Sequence, residues 1–301
     1  MTDRPRPDFL APVGPEERNP WRIVAWVCAA VAAYLLTRDL MSVLAALVLP
    51  EAARDTIRAN RPLSGAYRLE LEATIFGCVA MAHAVRSVAM LAFSRNLMRR
   101  PAWTFVTPGR PWSFVLMAQG LVAGVVLIGA SAAVAWALDD LDLSPLADPS
   151  FPILDRALFA ACLLPLTLLF AVVQESLFRG VVLQTSSLVS RNRIVLSLLN
   201  GALYALAANN PTPVAMISGV VEGAALSWSV LSLAGIEFAV GFQFISTWLS
   251  LMIGPLITTD AVKPLKWTVS WQAGLEIGVE AAVLAALLWC AWRINRRRLN
   301  L

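Results

Sequence analysis

ALFAACLLPLTLLFAVVQESLFRG, residues 157–180, holds no charged side chain over its first seventeen positions and then presents Gln174, Glu175 and Arg179 within six. A helix needs about 20 apolar residues to cross a bilayer core, and this run approaches that length before its polar end. Similar runs recur along the 301 residues, of which 58% are hydrophobic and 15% charged. Soluble domains are about 45–50% apolar and about 25% charged. With a mean hydropathy of +0.68, the chain reads as all-α, a polytopic transmembrane helical bundle. About eight spans are expected, near residues 23–49, 68–93, 113–138, 154–178, 194–208, 213–233, 236–254 and 272–292. The fifth is short enough to tilt, break or cross only in part.

Around these spans the chain divides into four sections. Residues 1–21, rich in Pro and charge, read as a disordered cytoplasmic tail. Residues 22–150 form lead-in transmembrane helices, 151–260 hold the polar residues of interest, and 261–301 give a final helix and a basic cytoplasmic tail. The first apolar run is too long for a signal-peptide core and reads as a retained helix. Arginines cluster in both tails, after the second span and near residue 192, while Asp139, Asp140, Asp142 and Asp148 occupy the third loop. This asymmetry predicts both termini in the cytoplasm, against the contrary Arg54, Arg58 and Arg61. The net charge of +4 lies at span ends without a basic, aromatic-laced stripe. It points to membrane lipids as partners and not to nucleic acid. Cys28, Cys78, Cys162 and Cys290 share no ligand spacing and read as small buried apolar residues. No metal site or cofactor is expected, and the single histidine, His83, reads as a packing residue.

Charges within spans are costly and normally pair inside a bundle. Glu175 and Arg179 are four apart, on one helix face and within pairing reach. Glu222 lies in a Gly219-to-Gly223 small-xxx-small stretch that permits close helix approach, from where it could share Arg179. Glu237, Gln243 and Thr247 follow. Glu72 and Arg86 sit fourteen apart on one span, too far to pair with each other. From spacing alone, helix-pinning ion pairs and interhelical hydrogen bonds explain all of these.

Three segments together carry a resemblance. Gln174–Gly180 followed by Val-Val-Leu looks like the Glu-Glu-x-x-x-Arg motif of the CPBP family, the CAAX-prenyl-protease and bacteriocin-processing (Abi-type) intramembrane proteases. Tyr204 to Pro211 resembles the family's Phe-x-x-x-His motif with its Asn-Pro sequel, and Gly241 to Trp248 resembles His-x-x-x-Asn. Residues 105–110 are similar to the lead into that domain. The resemblance spans residues near 105 to near 255. It implies a cavity in which the first glutamate and first histidine activate water, the later histidine and asparagine stabilise an oxyanion, and the arginine supports the site. Here Gln174, Ala208, Gln243 and Thr247 stand at those four positions, and only Glu175 and Arg179 match. A glutamine cannot act as a general base.

The expectation is therefore a catalytically inactive pseudoprotease of the inner membrane. Glu175 and Arg179 are its retained motif residues, Gln174, Tyr204, Ala208, Glu222, Gln243 and Thr247 line its cavity, and a membrane protein or prenylated peptide is its partner. Two readings stay open beside it: an active endopeptidase relying on Glu175, and a proton-coupled transporter relaying through Glu175, Glu222 and Glu237.

Overall fold

A computed structural model of the chain describes residues 8–13, 19–51, 54, 68–138, 148–207, 212–253 and 271–296. Eight main helices form where eight spans are expected. They are α1 (Pro20–Val48), α2 (Arg68–Met98), α3 (Phe114–Ala137), α4 (Ile153–Ser186), α5 (Arg193–Ala207), α6 (Pro213–Leu233), α7 (Glu237–Ile253) and α8 (Trp271–Asn295). A 3₁₀ turn, Ala102–Phe105, precedes α3, and no strand occurs among the described residues. Local chemistry sets the starts. Asn19, Ser113, Asn192 and Thr212 each accept a hydrogen bond from a first-turn backbone N–H, satisfying donors that a helix leaves open. Pro20 and Pro213 occupy first helical positions, where the missing N–H costs nothing.

Six of the eight helices are long and apolar enough to cross a membrane. The other two, α5 with 15 residues and α7 with 17, are shorter. At 1.5 Å per residue they reach about 22 and 25 Å, less than the ~30 Å hydrocarbon core. Such short elements are tolerated at membrane depth when enclosed by protein, and α7 is: Glu237 to Gln243 are all buried. The molecule is thus a multi-pass helical membrane protein.

Two crossings organise the bundle, and both depend on absent side chains. On α3 and α7, a Cβ at Gly120 would fall 2.8 Å from the Phe242 nitrogen and one at Gly241 would fall 2.9 Å from the Met117 carbonyl carbon. On α5 and α6, a Cβ at Gly201 would fall 2.8 Å from the Ala224 nitrogen and one at Gly223 would fall 2.8 Å from the Gly201 Cα. Close approach at Gly219 and Gly223 follows the small-residue pattern. Around these pairs α4 packs on α2 and α7, and α8 packs on α6 and α3. Polar bonds pin the periphery: Trp26 Nε1 to Ser94 (3.0 Å), Trp248 Nε1 to the Ala160 carbonyl (3.0 Å) and Asn295 Nδ2 to Gln119 (2.6 Å).

The structure differs from expectation in three places. Within the expected tail, residues 8–13 form a turn whose Phe9, Leu10 and Val13 are buried. Arg191 secures it by donating to the Val13 carbonyl at 2.8 Å. Three apolar side chains outweigh the Pro-rich, charged surroundings. The fourth span also does not stop near 178; its helix continues to Ser186, because the residues after Arg179 enter the core. Finally, Cys28, Cys162 and Cys290 are exposed on the outside of the bundle and Cys78 is half-buried, all four as free thiols. In a membrane the apolar exterior is as suitable for them as the core.

Candidate functional site

Between Glu175 and Leu183 the α4 ladder widens. Residues Ser176–Val182 form a π-turn in which the Leu183 N–H reaches back to the Phe178 carbonyl. Such single π-turns are rare and concentrate at functional sites. Its neighbours fix it. Gly180 lets the 3₁₀ turn approach, since a Cβ there would fall 2.7 Å from the Phe105 oxygen. Gln184, fully buried, donates to the Thr104 carbonyl at 2.9 Å. Asn200 of α5, also fully buried, donates to the Phe178 carbonyl at 2.8 Å and accepts from Ser227 of α6 at 2.9 Å. A helix defect is thereby tied to three neighbouring elements.

The π-turn brings together a polar cluster. Glu175 and Arg179 are both fully buried and ion-paired, Nε to Oε2, at 3.3 Å. The guanidinium lies over the Tyr204 ring at 4.4 Å and beside the Phe178 ring at 5.9 Å, a favourable placement for a cation. The Tyr204 hydroxyl is 3.5 Å from Glu222 Oε1 and 3.5 Å from Gln243 Oε1 and can donate to either. Gln243 in turn donates to Thr247 at 3.0 Å. Glu222 feels the charge of Arg179 electrostatically, while the ion pair itself is with Glu175. Gln174, which precedes Glu175, is buried, and its amide oxygen has no hydrogen-bond partner among the described residues. Neither have the Glu175 oxygens or the Arg179 nitrogens. Unmatched buried polar atoms are expensive, about 1–3 kcal/mol each.

Six of the eight residues expected at the site therefore come together, Glu175, Arg179, Tyr204, Glu222, Gln243 and Thr247, and Gln174 is buried next to Glu175 in sequence. Ala208, with Asn209 to Pro211, lies outside the described residues. Glu237 belongs to a different cluster. Arg110 grips both its oxygens (2.5 and 2.7 Å), the Ser113 N–H donates to it at 2.9 Å, and Arg110 also donates to the Ala234 and Leu233 carbonyls that end α6. That arrangement clamps the end of α6 to the starts of α3 and α7. His83 packs against Phe170 at 5.1 Å.

Sequence reasoning passed over Asn200, Ser227 and Glu280. Asn200 is four residues before Tyr204, on the same helix face, and that spacing was its signal. Glu280 of α8 bonds Ser218 and interacts electrostatically with Glu222; an acid within an apolar span was its signal. Among the described residues no three His, Cys, Asp or Glu side chains are disposed to hold a metal ion.

Fold and cluster together define a class, a multi-pass helical membrane protein with a buried Glu–Arg centre at a π-turn. No protein-family model matches the chain, and no curated protein matches it.

Proposed function

We propose that the chain is a catalytically inactive relative of the CPBP-type intramembrane proteases. In this reading it holds a segment of a membrane protein or a prenylated peptide at the Glu175–Arg179 cluster without cutting it. The observation that carries the reading is the pairing of an intact, fully buried Glu175–Arg179 couple with Gln174 and Gln243 at the positions where hydrolysis would need a base and an oxyanion partner. The Gln174 amide oxygen can accept an N–H from a peptide, and the guanidinium of Arg179 can donate to a peptide carbonyl. Neither can take a proton from water in the way general-base catalysis requires, and loss of that base alone removes about 10²–10⁴ in rate. The cluster thus supports binding far better than chemistry. A prenylated peptide bearing a photoreactive group should label the reconstituted protein, and the double change Gln174→Leu, Gln243→Leu should abolish labelling. Labelling that persists undiminished in that variant contradicts the assignment.

One observation favours a second reading. Glu222 acts electrostatically on both Glu175 and Glu280, so α4, α6 and α8 each bring an acid under mutual influence, as a proton relay needs, with Glu280 in the role that Glu237 cannot fill. Proton uptake by loaded vesicles that is lost in Glu222→Gln would favour it; uptake indifferent to Glu222→Gln would remove its basis.

We further infer an inner-membrane location with both termini cytoplasmic, from the basic ends and the acidic third loop. A reporter enzyme fused to the C-terminus and active only outside the cytoplasm would reverse that orientation.

A further inference from the structure

A groove of ≈ 540 Å³ lies between α1 and α5. Val31 and Tyr34 of α1 form one wall, Leu203 of α5 forms the other, and Met90 and Phe178 contribute to the floor. α1 packs mainly on α2 and shares no appreciable packing with α5, so the groove is open along its length. From Ile23 to Tyr34 it follows α1 over twelve residues, a rise of about 16 Å or three helical turns. Its lining is apolar but for a few hydroxyls and one charged side chain, Arg86.

Arg86 is only 7% exposed. Its Nη2 donates to His83 Nδ1 at 2.9 Å, while its Nε has no hydrogen-bond partner. Among the described residues no carboxylate pairs with it. Arg95, at the end of α2, is nine residues away, about 13 Å along the axis. His83 lies about one turn farther from that end, so the bond to His83 turns the guanidinium toward the middle of α2 and away from its arginine-bearing end. A cation buried in the middle of a spanning helix costs about 2.5–3.5 kcal/mol and normally has an anionic partner within the membrane.

We propose that this groove docks the transmembrane helix of a partner protein, and that an Asp or Glu near the middle of that helix pairs with Arg86. The apolar walls match an apolar helix face, the open length suits about three of its turns, and the buried cation supplies the one specific contact. The interaction is a helix laid in a groove, anchored by a charge-assisted hydrogen bond in a water-poor setting. It does not depend on the peptide-binding reading above, because Gln174, Glu175 and Arg179 do not line the groove.

The test uses the full chain in phosphatidylcholine vesicles, with photoreactive benzoylphenylalanine in place of Val31. Two synthetic leucine–alanine transmembrane peptides are compared, one with a central Asp and one with Leu there. The Asp peptide should crosslink about tenfold more than the Leu peptide, the equivalent of ~1.4 kcal/mol. Arg86→Gln should erase that difference and Arg86→Lys should keep most of it. Equal yields from the two peptides would overturn the proposal. So would crosslinks to lipid alone, or a crosslinked dimer of the chain that forms regardless of peptide. Should Arg86→Gln fail to fold, the Asp-to-Leu comparison in the otherwise unaltered chain decides the matter by itself.

Discussion

Asn200 shows how much a single side chain can settle in this bundle. Its amide bridges the Phe178 carbonyl, at the π-turn, and Ser227 on α6, with no solvent access. Replacing it by Ala removes two buried hydrogen bonds, leaving the Phe178 carbonyl only the Leu183 N–H and the Ser227 hydroxyl only its Gly223 acceptor. Asn200→Ala should therefore destabilise the protein by about 1–3 kcal/mol, seen as a lower unfolding midpoint in detergent. Ser227→Ala should cost less, because the Asn200 bond to Phe178 survives it. Equal losses from the two changes would mean that the π-turn does not depend on Asn200. The same scale separates Glu175 from Glu237. Both are fully buried acids facing an arginine, yet Glu237 is gripped at both oxygens while those of Glu175 make only an ion pair without hydrogen-bond geometry. Glu237 holds helix ends together, whereas the Glu175 oxygens keep hydrogen-bond capacity that no described residue uses.

At the scale of elements, the α5–α6 crossing sets the spacing of the cluster, because Tyr204 and Glu222 sit on its two sides. A Cβ at Gly223 would meet the Gly201 Cα at 2.8 Å and Tyr204 side-chain atoms at 3.1 and 3.2 Å. Gly223→Val should thus force the helices apart at a cost of about 1–3 kcal/mol and weaken retention of the peptide probe. Gly274→Ala on α8, where nothing lies within 4 Å, should be neutral or gain about 0.5–1 kcal/mol from helix propensity. Thermal unfolding of the two variants side by side checks both statements. Helix existence was legible in the sequence because lipid obliges a spanning backbone to satisfy itself internally, so apolar runs translate directly into helices. The π-turn was not legible. Nothing local in Ser176 to Val182 distinguishes a widened turn from a helix end. The turn is fixed by Phe105, Gln184 and Asn200, the first and last of which are distant in sequence.

At the scale of the whole molecule, stability and site are carried by separate polar centres. The Arg110–Glu237 clamp joins residues 127 apart and holds three helix ends in register. Arg110→Ala leaves Glu237 buried without its partner and should cost about 3–5 kcal/mol. Removing both charges with apolar residues of similar size should recover much of that loss. A double-mutant cycle on unfolding midpoints measures the coupling, and a cycle showing none would reduce the clamp to incidental contact. Glu175, Arg179, Glu222, Gln243 and Thr247 were readable as costly intramembrane groups, while Tyr204 was reached only through the motif resemblance. The Glu175–Arg179 pair was readable from its spacing of four, whereas the Arg110–Glu237 pair, 127 residues apart, was not, because helix crossings decide it.

The central claim, binding without hydrolysis, meets its most direct test in one assay. A prenylated peptide library is incubated with the detergent-purified protein, and with Glu175→Gln beside it, and products are read by mass spectrometry. The account predicts no turnover in either sample. Turnover by the unaltered protein that disappears in Glu175→Gln would contradict it and make this a peptidase with a rearranged site.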